Sequence, residues 1–484
     1  MLKKIQKENS FLKILFIGTS TSLVIHLSYL LLSSDPKLNL TIIILDFILS
    51  SVFIVAVYKL NYGFLFSLFL LPIFFLIENL TILDKTYTHQ SSLSFSFYNI
   101  DPRIIGFLLT SLFALLILRT KKICSSLSLL NNIILLTIGY LSFSVFWSIG
   151  SDKYLQISFY LLLLSLFLLT QASLKKIKDF YKLAFFLIVL SLPAILISYY
   201  QIFSGLFYEY ADVDIHRVSG PFDSPNLLGS LLLLTISLSL ILLSYLNQIK
   251  ETKYNLFLFA YLFSSLPIFI VTFSRSAWLG LVIFLGFFSL QKRKMFLAII
   301  LLFSILLSFM LMMEPTKERL SGFSEHTMFD SMYARKNIWR MSYKKFLAKP
   351  FWGYGAGSFA TVINDAKESH NGTENPHNDL VFFSLEGGLM GLIAYLAIIL
   401  SFYYYTLKHH YQLYKLSKKQ PEIFYPILII SWGILALLIA FSVISMVESY
   451  YEANFLHLFT WSLLSGWLTI SNQKTKKRIK ISKI

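Results

Sequence analysis

Thr272–Lys294 reads TFSRSAWLGLVIFLGFFSLQKRK. Its uninterrupted apolar part, 277–290, supplies about 14 helical residues, or ~21 Å at 1.5 Å per residue, against a hydrocarbon core of ~30 Å. Charge appears only at the two ends: Arg275 at one, Lys292-Arg293-Lys294 at the other. Such a segment reads as a membrane helix, and a short one. If the basic run pins the inner end, the turn Thr272–Ser276 lies below the outer surface and Arg275 sits at membrane depth. An ionisable side chain is expensive there, which makes Arg275 a candidate functional group.

The same reading extends in both directions. Apolar segments long enough to span fall at about 11–32, 38–58, 62–83, 103–118, 127–147, 154–170, 181–203 and 226–246, and then at about 254–273, 277–290, 295–313, 380–405, 423–445 and 452–471. Of the 484 residues, 56% are hydrophobic and only 14% charged, and mean hydropathy is +0.67. A water-soluble domain has too little polar surface to cover that much apolar area. The expected fold is all-α and polytopic, with about 12–14 transmembrane helices in a single integral membrane domain, 1–484. No linker or repeat period marks off a second domain. The basic start of Met1–Leu32 is read as part of an uncleaved first helix.

Orientation follows from the basic residues. Most of the 42 Lys and Arg fall in alternate connections, among them Lys121-Lys122, Lys175-Lys176, Lys292-Arg293-Lys294, Lys418-Lys419 and the tail Lys474–Lys483. That bias marks the cytoplasmic side, so both termini are expected in the cytoplasm and the protein in a bacterial inner membrane. The net charge of +17 is read as attraction to anionic lipid, not as a nucleic-acid partner. The long 314–379 loop, with a predicted amphipathic helix at Ser331–Ala348, then faces the periplasm. The one cysteine, Cys124, excludes an internal disulfide.

Acidic residues are denser on the outer side, which also holds His89, His216, His326, His370 and His377. Soluble nucleotide sugars and ATP are absent from that face. A substrate reacting there must carry its own activation, and a lipid-linked pyrophosphate is the obvious form. Asp212-Val213-Asp214 matches a metal-binding pattern of nucleotide-sugar transferases, but faces away from those donors, so no metal and no cofactor is expected.

Three stretches stand out. His216-Arg217-Val218-Ser219-Gly220-Pro221 leads to Asn226, expected to cap the helix that follows. Thr272–Gly280 contains the recessed Arg275. Asn375-Pro376-His377-Asn378-Asp379-Leu380 runs into Glu386-Gly387-Gly388-Leu389-Met390-Gly391, whose glycines are expected to permit close helix packing. With Arg335, Trp339 and Pro350–Gly355, these stretches resemble the O-antigen ligase and O-antigen polymerase superfamily over roughly residues 150–471. The motifs do not test the helices before 150.

The resemblance implies a GT-C-like fold. It also implies transfer of a glycan from undecaprenyl pyrophosphate to an acceptor hydroxyl, with inversion and without a metal. By the same resemblance Arg217 and Arg275 bind the pyrophosphate and His377 is the general base. Asn378 and Glu386 belong to the same motif; Glu386 is either a helix-entrance partner for the loop or a second base. Arg335 and Arg340, on the predicted loop helix, are either substrate contacts or lipid-headgroup contacts. The acceptor is lipid A-core in a ligase and a second lipid-linked glycan in a polymerase; the reading leans to the ligase. A lipid-linked sugar transporter or flippase is the rival from another class, expected to show internal repeats and broken helices near the midplane.

Overall fold

The computed structural model describes residues 127–150, 153–174, 176–205, 208–210, 213–222, 224–291, 327–364, 376–448 and 460–471. The spans expected at 11–32, 38–58, 62–83, 103–118 and 295–313 lie outside the described residues, as do His89, Cys124, Asp212, His326 and His370.

The described chain is helical. In order it forms α1 (Ser128–Phe143), α2 (Lys153–Ser173), α3 (Ile177–Leu190), α4 (Leu192–Ser204), α5 (Pro225–Gln248), α6 (Asn255–Val271) and α7 (Arg275–Ser289). Then come α8 (Thr327–Ala348), α9 (Phe359–Asn364), α10 (Asp379–Lys419) and α11 (Pro421–Ile444), with a last helix, α12, at 460–471. Among the described residues, five segments are long and apolar enough to cross a membrane: Ser128–Phe146, Ile177–Ser204, Pro225–Gln248, Asp379–Lys419 and Pro421–Ile444. The protein is a multi-pass helical membrane protein. Between α4 and α5 a short ribbon departs from the helical pattern: β1 (Tyr208–Tyr210) pairs antiparallel with β2 (Val213–Arg217), Tyr208 opposite Arg217. It delivers Arg217 to the start of α5.

α5 and α11 form the centre. α11 packs on α5, α7 and α10, while α5 also packs on α3 and α6. Small residues let these backbones approach: a Cβ on Gly280 of α7 would lie 2.3 Å from Ile444 Cδ1, and one on Gly433 of α11 would lie 2.4 Å from Ile241 Cγ1. Without water, polar side chains must find partners inside the bundle. Asn131 and Gln171 exchange two hydrogen bonds (2.7 and 3.3 Å) between α1 and α2. Tyr261 donates to Thr235 Oγ1 at 2.6 Å, and its hydroxyl is 2.7 Å from that of Ser191 at the α3–α4 junction.

α10 is not continuous. Gly388 has φ 62 and ψ −155, so the helix breaks between Gly387 and Leu389. Freed backbone groups cost several kcal/mol each in an apolar medium unless they are paired, and the turn after α8 pairs them. Tyr354 and Gly355 donate to the carbonyls of Leu385 (3.0 Å) and Glu386 (2.8 Å), while Leu389 donates to Pro350 at 2.7 Å. Tyr140 Oη of α1 donates to the Gly387 carbonyl at 2.7 Å. The turn and the helix touch backbone to backbone, since a Cβ on Gly353 would lie 2.4 Å from the Glu386 oxygen. Gly388 therefore serves a break and a close approach to a loop, rather than the helix–helix packing expected from the sequence.

Candidate active site

The starts of α5, α7 and α10, the C-terminal turn of α11 and one face of α8 meet at one end of the bundle. Each carries a polar residue into the meeting point because its terminal turn is fixed locally. The Arg217 turn is held by Gln201, whose side-chain amide donates to the Gly220 carbonyl (3.0 Å) and accepts from its N–H (2.8 Å). Ser224 Oγ, not Asn226, caps α5 by accepting from the Asn226 N–H at 3.2 Å. Position decides this: a cap side chain reaches back to the N2 or N3 amide, and Asn226 itself sits within the first turn. Its side chain is released for another task.

That task is bridging. Arg217 is buried; its Nε donates to the Thr272 carbonyl at 2.9 Å and its Nη2 to Asn226 Oδ1 at 2.9 Å. Asn226 Nδ2 in turn donates to Glu448 Oε2 at 3.1 Å. Glu448, four residues past α11, is buried and is the hub of the arrangement. His377 Nδ1 is 2.8 Å from Glu448 Oε1, and Arg335 Nη2 is 3.5 Å from Glu448 Oε2. Arg335 Nη1 also donates to the Val447 carbonyl at 3.0 Å. A carboxylate oxygen can only accept, so it fixes Nδ1 as the protonated nitrogen of a neutral imidazole and leaves the lone pair on Nε2.

The His377 turn is over-determined. Asn378 Oδ1 caps α10, accepting from Leu380 N (2.9 Å) and Val381 N (3.2 Å), and its Nδ2 donates to the Met446 carbonyl at 3.0 Å. Asp379 N donates to the Ser445 carbonyl at 2.9 Å. On the other side Trp339 Nε1 of α8 donates to the Pro376 carbonyl at 2.6 Å. These contacts hold His377 at φ 48, a left-handed conformation that costs a non-glycine residue about 1–3 kcal/mol. Among the described residues only Lys250 and Phe273 share that feature outside glycine. Phe273 lies two residues before Arg275, so both turns that present candidate groups store backbone strain.

Arg275 opens α7 from an exposed position, close enough to Arg335 for the two like charges to be felt. Two neighbouring cations beside an imidazole form a seat suited to an anion with several oxygens. Arg340 is exposed and lies on the face of α8 away from His377. Glu386 stands two turns along α10 from His377. It is buried, and its Oε1 accepts from Phe359 N at 3.2 Å. It fastens the loop to α10 and is removed from the His377 cluster.

Residues 259–396 match the family model described as O-antigen ligase. That segment, a little over a quarter of the chain, is similar to an O-antigen ligase domain. No curated protein matches it. The matched segment holds Arg275, Arg335, His377 and Glu386, whereas Arg217, Asn226 and Glu448 lie outside it. The cluster is thus completed by elements that flank the matched segment on both sides.

Sequence reasoning missed Glu448 and the bridging role of Asn226. A signal for Glu448 existed, because an acid follows directly on the apolar span 423–445 at the face already rich in acids. Nothing in the spacing connected it with His377.

Proposed function

We propose that the chain is an inner-membrane glycosyltransferase with one integral domain, 1–484, both termini in the cytoplasm and the 314–379 loop in the periplasm. It transfers a glycan from undecaprenyl pyrophosphate to an acceptor hydroxyl, with lipid A-core as acceptor in the ligase manner. The observation that carries this reading is the His377–Glu448 pair set beside Arg275 and Arg335.

In this mechanism the acceptor hydroxyl attacks the anomeric carbon from the face opposite the pyrophosphate. The new C–O bond forms as the bond to the pyrophosphate oxygen breaks, which inverts the centre. The hydroxyl proton passes to His377 Nε2, a contribution of about 10²–10⁴-fold for a positioned base. Glu448 keeps the tautomer and offsets the charge on the imidazolium that forms. Arg275 and Arg217, together with Arg335, stabilise the leaving pyrophosphate as its charge grows. One such pair at ~4 Å and an effective dielectric near 20 is worth about 4 kcal/mol before desolvation. Arginine charge does the work that a metal ion does in nucleotide-sugar transferases.

A polymerase uses the same donor and bond chemistry and differs only in accepting a second lipid-linked glycan. The lipid-linked glycan profile of a deletion strain, beside one carrying His377→Ala, separates the readings. Long polymers on undecaprenyl pyrophosphate with bare lipid A-core mean a ligase; single repeat units on lipid A-core mean a polymerase. An unchanged profile in His377→Ala, with a defect only in the deletion, contradicts the transferase and favours a transporter.

A further inference from the structure

At Gly388, α10 folds back on itself. In a straight helix Phe383 and Gly391 stand ~12 Å apart, and Asp379 and Tyr395 ~24 Å. Here a Cβ on Gly391 would lie 2.8 Å from the Phe383 carbonyl oxygen. The Phe383 and Tyr395 rings stack at 4.5 Å and 17°. Tyr395 Oη donates to Asp379 Oδ2 at 3.2 Å. Asp379–Gly387 is therefore a re-entrant half-helix lying against the turns that follow Gly388, and His377 is carried at its leading end.

Tyr395 stands between the two members of the His377–Glu448 pair. Asp379 follows His377 by two residues, and Ser445 precedes Glu448 by three. The Tyr395 hydroxyl reaches both: besides its bond to Asp379 it lies 3.5 Å from Ser445 Oγ. Asp379 N donates to the Ser445 carbonyl at 2.9 Å, which closes the triangle. Asp379 and Tyr395 are buried, so water does not replace the bond between them if it is lost. Beside the pair lies a cleft lined by Ile399, Phe402, Leu438, Phe441 and Trp461. The half-helix has room to swing on that side, and packing there does not hold it.

We infer that Tyr395 is a positioning residue for the transfer reaction: through Asp379 it clamps the re-entrant half of α10 so that His377 meets Glu448. This rests on the transferase reading above. Tyr395 touches no reacting atom and acts on turnover only through the placement of the imidazole. A displacement of about 1 Å at a catalytic group costs up to about 10²-fold in rate. The ring and the hydroxyl have separate tasks. Stacking on Phe383 keeps the fold, and the hydroxyl sets the angle between the two halves. Tyr395→Phe removes only the second.

The test is Tyr395→Phe in the full-length protein, reconstituted in proteoliposomes. Its kcat is expected to fall about 10–100-fold with KM for donor unchanged, the pattern of an interaction that matters only in the transition state. In a His377→Ala background the same substitution should lower the residual turnover no further. Spin labels on Ser384→Cys and Leu396→Cys, in a Cys124→Ser background, read the angle between the two halves through their dipolar broadening, without reference to activity. That broadening is expected to weaken in Tyr395→Phe. A kcat within about threefold of wild type overturns the inference, whatever the labels show. So does a fall in kcat with unchanged broadening. A fall matched by loss of donor binding and a lower unfolding midpoint overturns it too, because the hydroxyl is then a general structural contact. Broadening that depends on the hydroxyl, in a protein that transfers no glycan, upholds the clamp and rejects the transferase reading.

Discussion

His377 Nδ1 lies 2.8 Å from Glu448 Oε1, although the two residues are 71 positions apart and the long pair α10–α11 separates them. The pairing is possible because α10 and α11 run out and back with a single residue, Gln420, between them. The start of one helix is thereby returned to the end of the other, and Asp379 N donating to the Ser445 carbonyl closes the junction.

Glu448→Gln should keep the shape of the contact and remove the charge that offsets the imidazolium. Turnover of lipid-linked glycan is expected to fall by about 10²–10⁴-fold, the range for losing effective base catalysis. Expression and unfolding temperature should change little. Turnover within threefold of wild type would show that Glu448 only packs against the histidine.

Asn226→Ala should uncouple Arg217 from Glu448. Losing two buried hydrogen bonds to charged groups costs about 1.5–3 kcal/mol each when partners are left unpaired, so Arg217→Ala and Asn226→Ala should not add. A double-mutant cycle on turnover measures this. Full additivity would mean that the Arg217–Asn226–Glu448 chain transmits nothing.

The helical, membrane-spanning character of the chain was legible in its apolar runs, and the short α7 was readable from 277–290 and its basic end. His377, Arg217 and Arg275 stood out because strings such as Ser-Arg-Ser-Ala-Trp-Leu-Gly and Pro-His-Asn-Asp-Leu break the apolar monotony. The break in α10 was not legible. Gly387-Gly388 suits packing and kinking equally, and only the Pro350–Gly355 loop lying against it decides between them. Glu448 was illegible for a related reason: its role depends on which helix ends meet, and composition carries no such pairing.

Gly388→Ala places a side chain at φ 62 and a Cβ 2.5 Å from the Phe351 carbonyl carbon. Strain of this kind costs about 1–3 kcal/mol, and loss of the loop pairing adds to it. The detergent-solubilised protein should unfold several degrees lower, read by a thermal scan. An unchanged midpoint would mean that the break can heal into a continuous helix.

Glu386→Gln keeps a carbonyl acceptor for the Phe359 amide, so turnover should stay within about threefold of wild type. Glu386→Ala removes the acceptor and should loosen the 357–359 turn, read as faster proteolysis after α8. A loss in Glu386→Gln as deep as in His377→Ala would restore Glu386 as a second base.

The central claim is that His377 and Glu448 act as one base on a polyprenyl-pyrophosphate glycan. The most direct test is single-turnover transfer in proteoliposomes by wild type, His377→Ala, Glu448→Gln and the double variant, with donor binding measured in parallel. The account predicts that each single variant binds donor normally and loses turnover, and that the double variant is no worse than His377→Ala. Turnover by His377→Ala at the wild-type rate would contradict it.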